Sequence, residues 1–152
     1  MELDELYREV ILDHNQNPRR HGRLTDPSAS QGLYNPTCGD RITVDVQVRE
    51  EKVADAAFDG HGCSISTASA SMLMDSIVGQ PLDEARRTAR GFIDFITGRR
   101  EEPPPGEWDS LAGVRRFASR VKCATLAHNA LLQALDELQA DPAHPESPPK
   151  DD

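Results

Sequence analysis

Three cysteines, Cys38, Cys63 and Cys123, are the whole thiol inventory of the chain, and each sits in a tight local setting. Cys38 lies in Asn35-Pro36-Thr37-Cys38-Gly39-Asp40, Cys63 in Gly60-His61-Gly62-Cys63-Ser64, and Cys123 in Arg120-Val121-Lys122-Cys123-Ala124. Disulfide pairing would leave one of the three over, so the odd set points to thiolate chemistry, on a metal or on sulfur. In the first motif Cys38 and Asp40 flank a single glycine in a turn, where two side chains can converge. Zinc takes thiolate sulfur and carboxylate oxygen in tetrahedral geometry, so Cys38, Asp40, Cys63 and Cys123 supply a complete set of four ligands. Such a set is more negative than the divalent ion it holds, an excess that Lys122 and Arg120 would offset.

The bland reading of a free cysteine is a small buried hydrophobe. It would serve for any one of the three alone and is weakest for Cys38, since a core filler needs neither glycine nor aspartate beside it. The separations of 25 and 60 residues are not those of a zinc finger. His61 is a weaker candidate ligand, more in keeping with a solvent-facing loop position, and His14 and His128 read as helix-surface or packing residues.

The elements that must position these groups follow from periodicity. Leu3, Leu6, Tyr7, Val10 and Ile11 recur at helical spacing, predicting an amphipathic helix over 3–14 that closes over a sheet. Residues 15–30 are an irregular connection rich in Asn, Pro, Arg, Gly and Ser. From Arg41 to Arg49 the chain alternates, with Ile42, Val44, Val46 and Val48 on one face and Thr43, Asp45 and Gln47 on the other, which predicts a half-buried strand. A turn at Glu50-Glu51 leads to a second strand over 53–59, with Ala54, Ala56 and Phe58 on one face, and a short strand near 32–34 completes the sheet.

Downstream the period becomes helical: one helix from Ser64 to about Gly79, another opened by Pro81 and running to about Thr97. Glu101-Glu102-Pro103-Pro104-Pro105-Gly106 cannot be helix interior and predicts an exposed loop. A short helix follows over 110–118, then a long one from Lys122. Cys63 and Cys123 would both sit at helix N-termini, where the helix dipole favours thiolate. The fold class is α+β, a small antiparallel three-stranded sheet with helices packed on one face. Residues 1–139 form one domain, and 140–152, acidic and proline-rich, form a disordered tail.

Composition removes several classes of function. With 26 acidic against 17 basic residues and a net charge of -9, the chain would repel a phosphate backbone, so no nucleic-acid partner is expected. The arginine pairs at 19–20, 86–87, 99–100 and 115–116 read as solvated positions. No segment approaches the length of a membrane span and the opening residues are acidic where a signal peptide needs a basic flank, so the expectation is a cytoplasmic protein with no membrane partner.

The three motifs, taken with Phe58-Asp59-Gly60-His61-Gly62-Cys63-Ser64-Ile65-Ser66, Ala68-Ser69-Ala70-Ser71-Met72 and Lys122-Cys123-Ala124-Thr125-Leu126-Ala127, resemble the IscU/SufU/NifU N-terminal family of iron-sulfur cluster assembly proteins. The opening helix, Tyr7-Arg8-Glu9-Val10-Ile11-Leu12-Asp13-His14 with Asn17-Pro18-Arg19, resembles that family as well, so the likeness covers residues 3–139. In the IscU branch a histidine precedes the third cysteine and a Leu-Pro-Pro-Val-Lys segment recruits an Hsp70 chaperone. Here Lys122 and residues 117–121 stand in those places. The longer interval between Cys63 and Cys123, with its proline loop, is similar to the SufU type.

That resemblance implies zinc held by Cys38, Asp40, Cys63 and Cys123. It implies a sulfurtransferase-like acceptor that stimulates a PLP-dependent cysteine desulfurase of the SufS type and passes sulfur to a downstream SUF scaffold. Cys38 would be the residue that accepts persulfide sulfur, freed when a histidine of the partner replaces it on zinc. The alternatives are a scaffold that builds and transfers a [2Fe-2S] cluster on the same thiolates and, from a third class, a purely structural zinc protein.

Overall fold

The computed structural model describes residues 3–140. The order of elements is α1 (Leu3–Gln16), β1 (Ala29–Asn35), β2 (Asp40–Arg49), β3 (Lys52–His61), α2 (Ser64–Ile77), α3 (Leu82–Ile96), a 3-10 helix (Trp108–Arg116) and α4 (Ala118–Ala140). The three strands form one antiparallel sheet in the order β1-β2-β3. The disordered tail expected over 140–152 lies, beyond Ala140, outside the described residues.

The apolar face of β2, Ile42, Val44, Val46 and Val48, is buried as its alternation requires. Against it pack α4, which crosses β1 and β2, and α2, which contacts β3 and α4. Between α3, α4 and the 3-10 helix, His128 is fully buried, stacked on Phe92 at 4.3 Å between ring centroids and edge-on to Trp108 at 5.2 Å. Burial pushes its pKa down to about 3, so His128 is a neutral core residue, in keeping with the packing role expected of it.

Four local expectations change. Asp45 and Gln47 are buried rather than solvent-facing, because the chain before β1 folds back across that face. The Arg23 guanidinium, the Leu24 N–H and the Ser30 hydroxyl all donate to the Asp45 carboxylate. Burial would raise its pKa, but these bonds hold it below the ordinary carboxylate value. In β3, Val53 rather than Ala54 joins Ala56 and Phe58 on the core face. Val48 pairs with Val53 and Gln47 with Asp55, so Ala54 is the extra residue of a bulge.

The helix α1 packs chiefly on α2 and the 3-10 helix, not on the sheet. It is pinned by His14, whose Nδ1 lies 2.7 Å from Ser71 Oγ and whose Nε2 lies 3.1 Å from Glu107 Oε1. The proline loop is exposed as expected except at Pro103, which is half-buried, and Pro104, which is buried beside Gly91 of α3. The turn at Glu50-Glu51 is as read, both residues taking the positive φ that a tight two-residue hairpin demands.

Candidate metal and thiol centre

Sheet register brings the first ligands together. β1 and β2 are joined by the four residues 36–39, with Asn35 paired to Asp40, so Cys38 sits at a hairpin tip. Gly39 has φ +80°, a conformation other residues adopt only with strain, and it turns the chain so that Cys38 and Asp40 face the same space. On the other edge of β2, Arg41 pairs with His61, which carries Gly62 and Cys63 to the side of Asp40. The Cys63 N–H donates to Asp40 Oδ1 at 3.1 Å. A Cβ on Gly62 would lie 2.9 Å from Asp40 Cγ, so only glycine admits the carboxylate this close.

The third thiol comes from α4. The helix begins at Ala118, four residues before the expected start, so Cys123 is its sixth residue and lies beyond the first turn. Its thiol is within reach of the Ser119 carbonyl one turn back, at 3.6 Å, and donates to Cys38 Sγ at 3.4 Å. The helix-terminus expectation therefore holds for Cys63, the N-cap of α2, and fails for Cys123. Phe117 and Val121 stand four apart, at helical spacing, so the first turn of α4 carries a signal that a start at Lys122 leaves out.

Ligand atoms of Cys38, Asp40 and Cys123 all lie within 4.8 Å of one another. Cys63 stands outside that mutual group but is close enough to Cys123 to act on its thiol. Ligation by all four residues requires the half-exposed Cys63 side chain to turn inward. Burial first, then Cys38, Asp40 and Cys63, push the Cys123 thiol well above its ordinary pKa. Burial would raise the Asp40 carboxyl too, yet the facing side chains of Cys38, Cys123 and Ser66 and the Cys63 N–H hold it low.

Buried anion, crowded thiols and an orphaned acceptor are what a cation would resolve. Asp40 Oδ2 is buried with no hydrogen-bond partner among the described residues, as is the adjacent Ser66 Oγ. Zinc–sulfur bonds of about 2.3 Å place tetrahedral sulfurs about 3.8 Å apart, so the 3.4 Å between Cys38 and Cys123 needs to open only slightly. The residues present fit zinc. Cys38 is exposed, Cys63 intermediate and Cys123 buried.

Ser66, in the first turn of α2, was not singled out by the sequence. It touches the space of both Gly62 and Asp40 and steadies the carboxylate. Its position three residues after Cys63, facing the ligand from a helix start, was the available signal. His61, by contrast, is exposed at the end of β3, and Lys122 and Arg120 are exposed on α4.

Beside the centre runs an apolar groove of 560 Å³ lined by Leu12, Ile65 and Phe117 and rimmed by Arg8, Arg116 and Arg120. Leu12 and Phe117 are 43% and 57% exposed, large apolar surfaces left open to solvent next to Ser64 and Arg120.

The chain is similar in sequence and fold to known proteins. The family model described as NifU-like N terminal domain matches residues 6–104. A Streptococcus pyogenes protein named iron-sulfur cluster assembly scaffold protein IscU is 46% identical over 136 residues, 88% of this chain and 84% of that one. A Bacillus subtilis protein named zinc-dependent sulfurtransferase SufU is 44% identical over 131 residues, 85% of this chain and 88% of that one. The crystal structure of a putative iron-sulfur cluster assembly scaffold protein for the SUF system from Fervidobacterium islandicum superposes with a TM-score of 0.79. It is 28% identical and covers 88% of this chain and 99% of that one.

Proposed function

The chain belongs to the NifU-like N-terminal domain family, the IscU/SufU group, and from that premise we propose that it is a zinc-dependent acceptor of persulfide sulfur from a cysteine desulfurase, of the SufU type. One observation carries the reading: an exposed thiol, Cys38, on a glycine-flanked hairpin tip, within ligand distance of the buried Asp40 and Cys123. A structural zinc site is closed on all sides, whereas a transfer site keeps one ligand accessible. The relative named zinc-dependent sulfurtransferase supports the same choice.

Cys38, Asp40, Cys63 and Cys123 would hold zinc, which would keep the three thiols deprotonated at neutral pH. The chain's own residues then do the following. Cys38 Sγ attacks the outer sulfur of the desulfurase persulfide, the sulfur–sulfur bond of the donor breaks, and the donor cysteine leaves as thiolate. Cys38 now carries the persulfide. Asp40, fixed by the Cys63 N–H and Ser66, and Cys123, held in the interior of α4, keep their places while the hairpin tip moves. The arginine-rimmed groove beside Cys63 gives the desulfurase an apolar and cationic surface to dock on. Carbon–sulfur cleavage and its PLP belong to that partner, and sulfur passes onward to a downstream SUF scaffold.

A second reading, a scaffold for a [2Fe-2S] cluster, is favoured by the 46% identical relative named as a scaffold and by a donor set that also suits iron. Metal analysis of the native protein with a desulfurase assay separates the two. Sulfur transfer predicts about one zinc per chain and acceleration of the cognate desulfurase. Zinc-loaded protein without acceleration, together with a chromophore that survives gel filtration after anaerobic reconstitution, would replace it with the scaffold.

A further inference from the structure

Between the hairpin tip and α4 lies a second pocket of 290 Å³, which shares no lining residue with the apolar groove. Asn35, Pro36 and Thr37 form one wall and Lys122, Thr125 and Asn129 the other. Thr37 immediately precedes Cys38 and Lys122 immediately precedes Cys123, so two lining residues of the pocket are the chain neighbours of two thiols of the centre. Consecutive Cα atoms are about 3.8 Å apart, which places the pocket within a small molecule's length of Cys38.

Its chemistry is that of an anion site. Although the chain has 26 acidic residues, none lines this pocket, and Lys122 brings an ammonium. Asn35 supplies the second, independent sign. Its Oδ1 accepts from the Thr37 N–H at 3.1 Å, which fixes the amide, while its Nδ2 is buried without a partner among the described residues, on a residue only 7% exposed. A buried donor left open is costly, and it belongs to a residue that lines this pocket. The volume suits one or two amino-acid-sized units, below the usual range for larger ligands.

We propose that this pocket seats the carboxylate of a low-molecular-weight thiol, which takes the persulfide sulfur from Cys38. The inference rests on the sulfur-acceptor reading. The thiolate of the small molecule attacks the outer sulfur of the Cys38 persulfide. The bond between that sulfur and Cys38 Sγ breaks, its electron pair stays on Cys38 Sγ, and the new sulfur–sulfur bond is on the small molecule. A thiol and a persulfide give a persulfide and a thiol, with no external oxidant or reductant.

The test has two arms on the full zinc-loaded chain. In the first, N-acetylalanine, a carboxylate without sulfur, is titrated while backbone amides are followed by NMR. Shifts centred on Thr37, Thr125 and Asn129 that vanish in Lys122→Gln are expected, and shifts elsewhere or none overturn the pocket. In the second, persulfide-loaded protein is mixed with N-acetylcysteine or with the neutral N-acetylcysteamine, rates being corrected for thiolate fraction. Lys122→Gln should slow the carboxylate thiol about fivefold, the worth of an exposed ion pair, and leave the neutral thiol unchanged. Equal effects on both thiols overturn the proposal. Binding of N-acetylalanine by a chain that never loads persulfide would leave an anion pocket and remove its use in sulfur transfer, a failure of the underlying reading rather than of the site.

Discussion

Gly62→Ala is the sharpest structural probe of the thiol centre. A Cβ at this position would lie 2.9 Å from Asp40 Cγ, 2.9 Å from Ser66 Oγ and 3.0 Å from Ser66 Cβ. Carbon–carbon contacts settle at about 3.5 Å or more, so the carboxylate and the first turn of α2 must each give way by roughly half an ångström. Metal–ligand distances tolerate only about 0.2 Å, and loss of a supporting interaction lowers metal affinity by about 10–100-fold. Gly62 lacks the positive φ of Gly39 or Gly60, so the effect is one of space and not of backbone strain. Overpacking adds about 1–3 kcal/mol of destabilisation, read separately by urea unfolding of the metal-free chain. Competition with a chromophoric chelator measures zinc affinity, with Gly113→Ala as control because its Cβ would meet nothing within 4 Å. Zinc affinity of Gly62→Ala within twofold of the parent would refute the placement of Asp40 as a ligand steadied by Gly62 and Ser66.

Three further outcomes follow from the same geometry. His128 stays neutral in the folded chain down to about pH 3 but takes up a proton below its ordinary 6.5 once unfolded, so its contribution is fully present above 6.5 and declines as pH falls. From pH 7 to pH 5 this lowers stability by about 2 kcal/mol, and His128→Leu should flatten that part of the profile in urea titrations at each pH. Ser71→Ala strips a buried oxygen from both the Arg19 N–H and His14 Nδ1, and unfolding should show a loss of about 1–3 kcal/mol. Arg8→Glu combined with Arg116→Glu in the groove should raise the concentration needed to stimulate the desulfurase about tenfold, with zinc content unchanged. That difference should shrink as salt is added, and identical curves at low salt would exclude the groove as the docking surface.

Much of the centre was legible because its signals are local. The alternation from Ile42 to Val48 fixes β2, and a four-residue interval between Asn35 and Asp40 with a glycine inside it can only be a tip that presents Cys38. The helix after Cys63 announced itself by a change of period at Ile65. What escaped depends on chain brought in from a distance. Asp45 reads as solvent-facing until Arg23 and Ser30 arrive, and the bulge at Ala54 exists only in the pairing of two strands. Cys123 lies beyond the dipole's reach because residues 118–122 already form the first turn of α4, with Phe117 and Val121 at helical spacing ahead of it.

The central claim is that Cys38 is the residue that receives sulfur. Its most direct test is to incubate the zinc-loaded chain with the cognate desulfurase and cysteine, trap persulfides by alkylation, and map them by peptide mass spectrometry. The account predicts one added sulfur on the peptide containing Cys38 and none on that peptide in Cys38→Ala, with Cys63 and Cys123 unmodified in both. Persulfide on Cys63 or Cys123 of the parent chain, with Cys38 unmodified, would contradict it.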